Sequence, residues 1–243
     1  MNAPILAFDK VCKRFGAVVV AHGLDLALSH GEALGIIGPN GAGKSTLFGI
    51  ASGTVAPDSG RVLMEGHDIT RLAPERRCRL GLGRSFQIPQ PFHGMSVFEN
   101  LVVAAAFGSG RSEGDVYGRC VDLLGKCALA DKANRNAGSL TLLDRKRLEL
   151  ARALATGPRV LLLDEVAGGL AEHECKALVE LIRAIRHDGV SVIWVEHVVH
   201  ALIAVVDRLL VLHGGAFIAQ GAPETVIRSP SVREIYMGIP ADA

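Results

Sequence analysis

No stretch of this sequence carries the roughly 20 consecutive apolar residues that a helix needs to cross a bilayer, although 49% of the 243 residues are hydrophobic. The longest candidate, residues 198–212, is broken by His200, Asp207 and Arg208 and reads as helix, turn and strand. Charge excess is also missing. Lys and Arg number 26 against 25 Asp and Glu, for a formal net charge of +1. That excludes the strongly basic balance with which duplex-binding proteins meet phosphate, so no nucleic-acid partner is expected. Residues 1–10 lack a basic region followed by an apolar core, and no secretory signal is read there. The five cysteines, Cys12, Cys78, Cys120, Cys127 and Cys175, form no C-x-x-C pair and are odd in number. Reduced thiols in a cytoplasmic setting account for them most simply. Internal repeats, low-complexity tracts and the N-K-x-D pattern that reads guanine are absent too.

What is present alternates between strands and helices. Leu24, Leu26 and Leu28 fall on one face and Asp25 and Ser29 on the other, the period-two pattern of a half-buried strand. Residues 33–37, 160–163, 192–195 and 209–212 are apolar runs without alternation, as expected of strands buried on both faces of a parallel sheet. Between residues 96 and 155 the pattern is helical. Ser96-Val97-Phe98-Glu99 has the form of a capping box, and residues 115–126 and 144–155 read as helices. Residues 108–114 read as an exposed loop. The fold expected is α/β, with a mainly parallel core, an N-terminal antiparallel part and an inserted helical subdomain.

Gly38-Pro39-Asn40-Gly41-Ala42-Gly43-Lys44-Ser45, followed by Thr46, matches the P-loop pattern G-x-x-x-x-G-K-S/T. Its glycines let backbone N–H groups turn inward, and the helix that follows adds its positive end, so the loop is built for phosphate. Lys44 reaches the terminal phosphates of a nucleotide, and the Ser45 hydroxyl is suited to Mg²⁺. The apolar run ending at Leu163 delivers Asp164 and Glu165 to a strand's C-terminal end, where open α/β sheets bind ligands. Asp164 suits a Mg²⁺ contact, and Glu165 suits positioning or deprotonating the attacking water.

In this order the two motifs resemble the ATPase subunits of ABC transporters, and the resemblance spans essentially the whole chain. It implies a P-loop NTPase (RecA-like) fold and a single domain over 1–243. An α/β core of 1–90 and 156–243 would enclose a helical subdomain at 91–155. It implies ATP and Mg²⁺ as cofactors. Gln87, in Arg84-Ser85-Phe86-Gln87, looks like the glutamine that touches Mg²⁺ and the attacking water. His197, in Trp194-Val195-Glu196-His197, looks like the histidine that contacts the γ-phosphate. Phe15 lies where an aromatic ring stacks on adenine. Implied partners are a second ATPase subunit, in a homo- or heterodimer, transmembrane permease subunits, and indirectly a solute-binding protein. The segment from Ile88 to Glu99 would meet the permease, with Pro91-Phe92 and Met95 in apolar contact or simply in the core. The location implied is peripheral, on the cytoplasmic face of the inner membrane.

Several segments resemble uptake systems for branched-chain amino acids and related small amides and acids. These are residues 84–87, 92–101, 168–170 and the tail Val232-Arg233-Glu234-Ile235-Tyr236-Met237-Gly238. Two departures stand out. The family's signature, Leu-Ser-Gly-Gly-Gln, aligns with Leu140-Thr141-Leu142-Leu143-Asp144. Thr141 keeps a hydroxyl for a γ-phosphate, or caps the next helix as T-x-x-D, or does both. The family's D-loop aspartate or asparagine aligns with Ala171. A soluble ATPase of this type, or a low-turnover ATP-dependent clamp, therefore stays open beside the transporter subunit.

Overall fold

The chain opens with a long hairpin, β1 (Leu6–Phe15) and β2 (Val18–Leu28), and β1 also pairs antiparallel with β4 (Ser59–Met64). With β5 (His67–Asp68) they form a four-stranded sheet in the order β2-β1-β4-β5. Leu24, Leu26 and Leu28 point inward from β2 while Asp25 and Ala27 are exposed, as the alternation predicts. The structure, a computed structural model, describes residues 3–237; Gly238 of the tail lies outside the described residues.

The second sheet has six strands. Between β2 and β4 lie β3 (Ala33–Ile37) and the helix α1 (Lys44–Ser52). After β5 come α2 (Pro74–Arg79), β6 (Leu82–Arg84), α3 (Val97–Ser109), α4 (Glu113–Lys126) and α5 (Leu142–Ala155). There follow β7 (Val160–Asp164), α6 (Glu172–His187), β8 (Ser191–Val195), α7 (Val199–Ile203), β9 (Arg208–His213) and β10 (Ala216–Gly221). Helices α8 (Pro223–Arg228) and α9 (Pro230–Met237) end the described chain. The strand order is β10-β9-β3-β8-β7-β6. Strands β9, β3, β8, β7 and β6 run parallel to their neighbours, and only β10 is antiparallel, to β9.

Every residue of β3, β7 and β8 is buried, which explains runs without polar alternation. Parity decides which layer each side chain meets. Leu161, Leu163, Val192, Trp194, Leu209 and Val211 join a core with α3, α4, α5 and α6. Leu162, Ile193, Val195, Leu210 and Leu212 join the other core, with Leu47, Phe48 and Ile50 of α1 and the inner face of the antiparallel sheet.

From residue 97 to 155 the described residues form helices and turns, with an isolated bridge between Ser96 and Asn136. The capping box is present: Ser96 Oγ accepts from the Glu99 amide at 3.2 Å, and the Glu99 carboxylate accepts from the Ser96 amide at 2.7 Å. The loop expected at 108–114 is largely helix. Gly108 belongs to α3 and is buried, because a Cβ there would meet Thr156 at 2.7 Å. Residues 110–112 alone connect α3 to α4. Glycine here serves close helix contact rather than a turn, a distinction that composition does not carry.

Helix α1 is anchored from below by Arg77 of α2, which is 1% exposed. Its guanidinium donates to the carbonyls of Ile50 (2.6 Å) and Ala51 (2.7 Å) in the last turn of α1, and to Thr70 (2.7 Å) and Leu72 (3.0 Å). A cation at a helix C-terminus also complements the helix dipole. Gly53, in the left-handed conformation at φ +85°, caps α1 and leaves room for Arg77 Nε, which a Cβ would approach to 2.7 Å. Replacing Arg77 by Met keeps the volume but strands these buried acceptors. A loss of about 2–4 kcal/mol is expected, read as a lower urea midpoint with unchanged m-value.

Candidate functional site

The loops after β3, β8, β7 and β6 carry the candidate residues, and the loop after β3 is the floor of the site. Gly41 (φ +80°) and Gly43 (φ +104°) adopt left-handed backbone, which lets the chain double back before α1. A Cβ on Gly43 would lie 2.4 Å from the Val20 carbonyl, and one on Gly38 2.3 Å from the Leu212 carbonyl. Both positions therefore exclude side chains. No side chain caps α1, so its first-turn amides remain a site for an anion. Pro39 is half-buried, Asn40, Gly41 and Ser45 are exposed and Thr46 is half-buried. Ala42 differs from its neighbours: its methyl sits in the core, and its amide donates to the Pro39 carbonyl at 3.2 Å.

Lys44 is buried, and its ammonium donates to the Gly38 carbonyl at 2.7 Å and the Pro39 carbonyl at 3.0 Å. Burial pulls its pKa below the ordinary lysine value, and the charges of Glu165 and Asp164 oppose that pull. A cation so placed gains most from an anion brought into the loop.

Glu165 gathers the three residues read as catalytic. Its Oε2 accepts from Gln87 Nε2 at 2.5 Å, and its Oε1 accepts from His197 Nε2 at 2.8 Å. Its backbone is left-handed at φ +47°, unusual for a residue with a Cβ. Its amide is tied to the Val195 carbonyl at 2.9 Å. Asp164 is 4% exposed. Oδ2 accepts from Arg84 at 3.0 Å, whereas Oδ1 is buried without a hydrogen-bond partner. Burial raises the Asp164 pKa from its ordinary value, and Arg84 counteracts it. Among the described residues no three His, Cys, Asp or Glu side chains cluster as a metal cage. Mg²⁺ here would share Asp164 Oδ1 and the Ser45 hydroxyl with phosphate oxygens, the pattern Mg²⁺ prefers.

Phe15 and Thr141 stand apart from that trio. Phe15 is half exposed, with the Lys13 ammonium 5.2 Å from its ring centroid. It pairs with Val18 at the tip of the hairpin whose Val20 abuts Gly43. Thr141 is the N-cap of α5; its hydroxyl accepts from the Asp144 amide at 3.3 Å and donates to the Asp144 carboxylate at 2.9 Å. Asp144 in turn is ion-paired with Lys132 at 2.9 Å. The cap reading is therefore realised. In the segment from Ile88 to Glu99, Pro91 is buried, as the core alternative has it, because the chain turns in toward α3 there, whereas Ile88, Phe92 and Met95 remain exposed.

Three residues around this site were not singled out in the sequence. Arg84 holds Asp164, donates to Ser52 Oγ at 3.2 Å, and lies 5.0 Å from the Phe86 ring centroid. Lys146 and Glu196 lie buried beneath Glu165 and His197. A carboxylate directly after the buried run 192–195 is the one signal that marks Glu196 in advance.

Comparison with known proteins agrees with the geometry. Residues 21–168 match the family model described as ABC transporter. The chain is 34% identical to the high-affinity branched-chain amino acid transport ATP-binding protein LivG of Escherichia coli K12, over 98% of this chain and 99% of that one. It is also 34% identical to the lipopolysaccharide export system ATP-binding protein LptB of Acidithiobacillus ferridurans, over 96% and 97% respectively. The crystal structure of the ADP conformation of MJ1267, an ATP-binding cassette of an ABC transporter, superimposes with a TM-score of 0.89. The two share 30% identity and align over 98% of this chain and all of the other. With a P-loop, a strand-end carboxylate pair and near full-length similarity in hand, the chain belongs to the ABC transporter family and is one of its ATPases.

Proposed function

We propose that this chain powers an importer for branched-chain amino acids or related small amides and acids. The observation that carries the catalytic part is the Glu165 carboxylate, which holds Gln87 at 2.5 Å and His197 at 2.8 Å beside the Lys44 loop. The cargo class rests on likeness to LivG along the whole chain. LptB, named for export, is equally identical, so transport direction is what an uptake assay has to establish.

In this reading ATP lies with its triphosphate on the loop from Gly38 to Thr46 and its base on Phe15. Ser45, Asp164 and Gln87 would hold Mg²⁺, which would supply charge neutralisation at the phosphates. Glu165 orients the attacking water and takes its proton, while His197 donates toward the γ-phosphate. Two such subunits close over two nucleotides, with Thr141 facing the partner's site, and ATP drives closure because it binds the closed pair better. Residues 91–155 form the helical subdomain, between core segments 1–90 and 156–243. The exposed Ile88, Phe92 and Met95 meet a permease subunit, and a solute-binding protein delivers cargo to that permease. The subunit sits peripherally on the cytoplasmic face of the inner membrane; among the described residues no helix is long and apolar enough to cross one.

A second reading, the low-turnover clamp, is favoured by one observation. The α5 N-terminus already holds its own carboxylate, and Leu142, 45% exposed, stands where the family has glycine. Phosphate release separates the two readings. Glu165→Gln should bind ATP as the parent does and lose turnover about 10²–10³-fold. Parent-like phosphate release by that variant would remove Glu165 from the chemistry. Lys44→Ala should weaken binding of a fluorescent ATP analogue at least about tenfold. An unchanged Kd would displace the nucleotide from this loop.

A further inference from the structure

Strands β7 and β8 stop pairing where the chemistry begins. The last ladder bond between them, from the Glu165 amide to the Val195 carbonyl, is 2.9 Å. Beyond it the two loops carrying Glu165 and His197 would be free to spread. The Glu196 side chain spans that gap. It is 0% exposed; its Oε1 accepts from the Ala167 amide at 2.6 Å, and its Oε2 accepts from the amides of His197 at 3.0 Å and Val198 at 3.3 Å. One carboxylate thus prolongs the pairing of two strands past their ends.

A second buried charge acts on the same loop. Lys146 of α5 is 5% exposed and donates to the Glu165 carbonyl at 3.3 Å. That peptide follows the left-handed turn at Glu165, a conformation costing of order 1–3 kcal/mol that persists only when neighbours enforce it. Burial disfavours the ionised forms of both Lys146 and Glu196, and the charge of Glu196 helps to keep Lys146 protonated. Both side chains hold backbone on either side of the Glu165–His197 hydrogen bond.

We propose that Glu196 and Lys146 are positioning residues that fix the separation of Glu165 and His197, Glu196 by bridging the two loops and Lys146 by locking the Glu165 peptide. The proposal rests on the reading of Glu165 and His197 as the catalytic pair. A carboxylate is required at 196 because three N–H donors converge on two oxygens. An amide offers one oxygen and turns its own N–H₂ toward the remaining donors. The mismatch opens one side of the bridge while leaving the Lys44 loop intact.

The test uses the full chain with three readouts: steady-state phosphate release, Kd for a fluorescent ATP analogue, and the ¹⁵N imidazole signal of His197, assigned by its loss in His197→Ala. Glu196→Gln should lower turnover about tenfold, change Kd less than twofold, and move the His197 signal. Lys146→Met, which leaves Glu196 in place, should lower turnover with Kd held and serves if the first variant does not fold. Turnover within twofold of the parent, or a His197 signal that stays put in Glu196→Gln, overturns the bridge. Parallel falls in turnover and ATP affinity in both variants overturn it as well, since they mark general damage. Glu165→Gln run alongside keeps the two ideas separable. If it retains turnover, the catalytic reading fails; if it loses turnover while Glu196→Gln does not, only the bridge fails.

Discussion

The Lys44 ammonium lies folded under its own loop, bonded to two peptide carbonyls and pressed by the surrounding core. Carbonyl dipoles satisfy its hydrogen bonds without cancelling its charge, and burial makes that charge costly. Much else can be understood as a consequence. Gly38 and Gly43 must lack side chains so that the loop can wrap the amine. Arg77 must pin α1 from its far end so that the loop starts from a fixed helix. Asp164 and Glu165, across the sheet, supply a negative field that opposes the pull of burial on the amine. A triphosphate entering such a loop meets a cation whose compensation is incomplete, and that shortfall is a source of affinity.

The opposite logic operates at α5. There the N-terminal amides and the helix dipole also favour an anion, but the chain provides one itself, the Asp144 carboxylate clasped by Thr141 and paired with Lys132. The two helix N-termini, one capped by left-handed Gly43 with no side-chain partner and the other by extended Thr141, thus differ in demand for an external phosphate.

The parts of this molecule that could be read from the sequence were those set by local pattern. The buried runs at 33–37, 160–163, 192–195 and 209–212 became parallel strands because apolar residues with no polar partner can go only into a covered sheet. Ser96 to Glu99 and Thr141 to Asp144 became caps because both partners lie within one turn. Misread positions depended on distant contact. Gly108 looked like a loop residue until Thr156, far along the chain, explained its missing side chain. Arg84 and Lys146 gave no local sign of their roles, since each reaches backbone or carboxylate on another element, and Glu196 was marked by nothing more than its place directly after a buried apolar run. Gln87 and His197 were found through family likeness; their convergence on Glu165 became visible once strand order placed β6, β7 and β8 side by side.

That strand order works as a ruler. The Lys44 loop leaves β3, His197 leaves β8, Glu165 leaves β7, and Gln87 lies three residues past the end of β6, on four consecutive strands. Neighbouring strands stand about 4.8 Å apart, so the row spans roughly 14 Å between its outer strands. Hydrogen-bond length in the sheet sets this pitch, and no side-chain substitution alters it. Adaptation to a different cargo or partner therefore leaves the graduation marks in place and works on what is suspended between them.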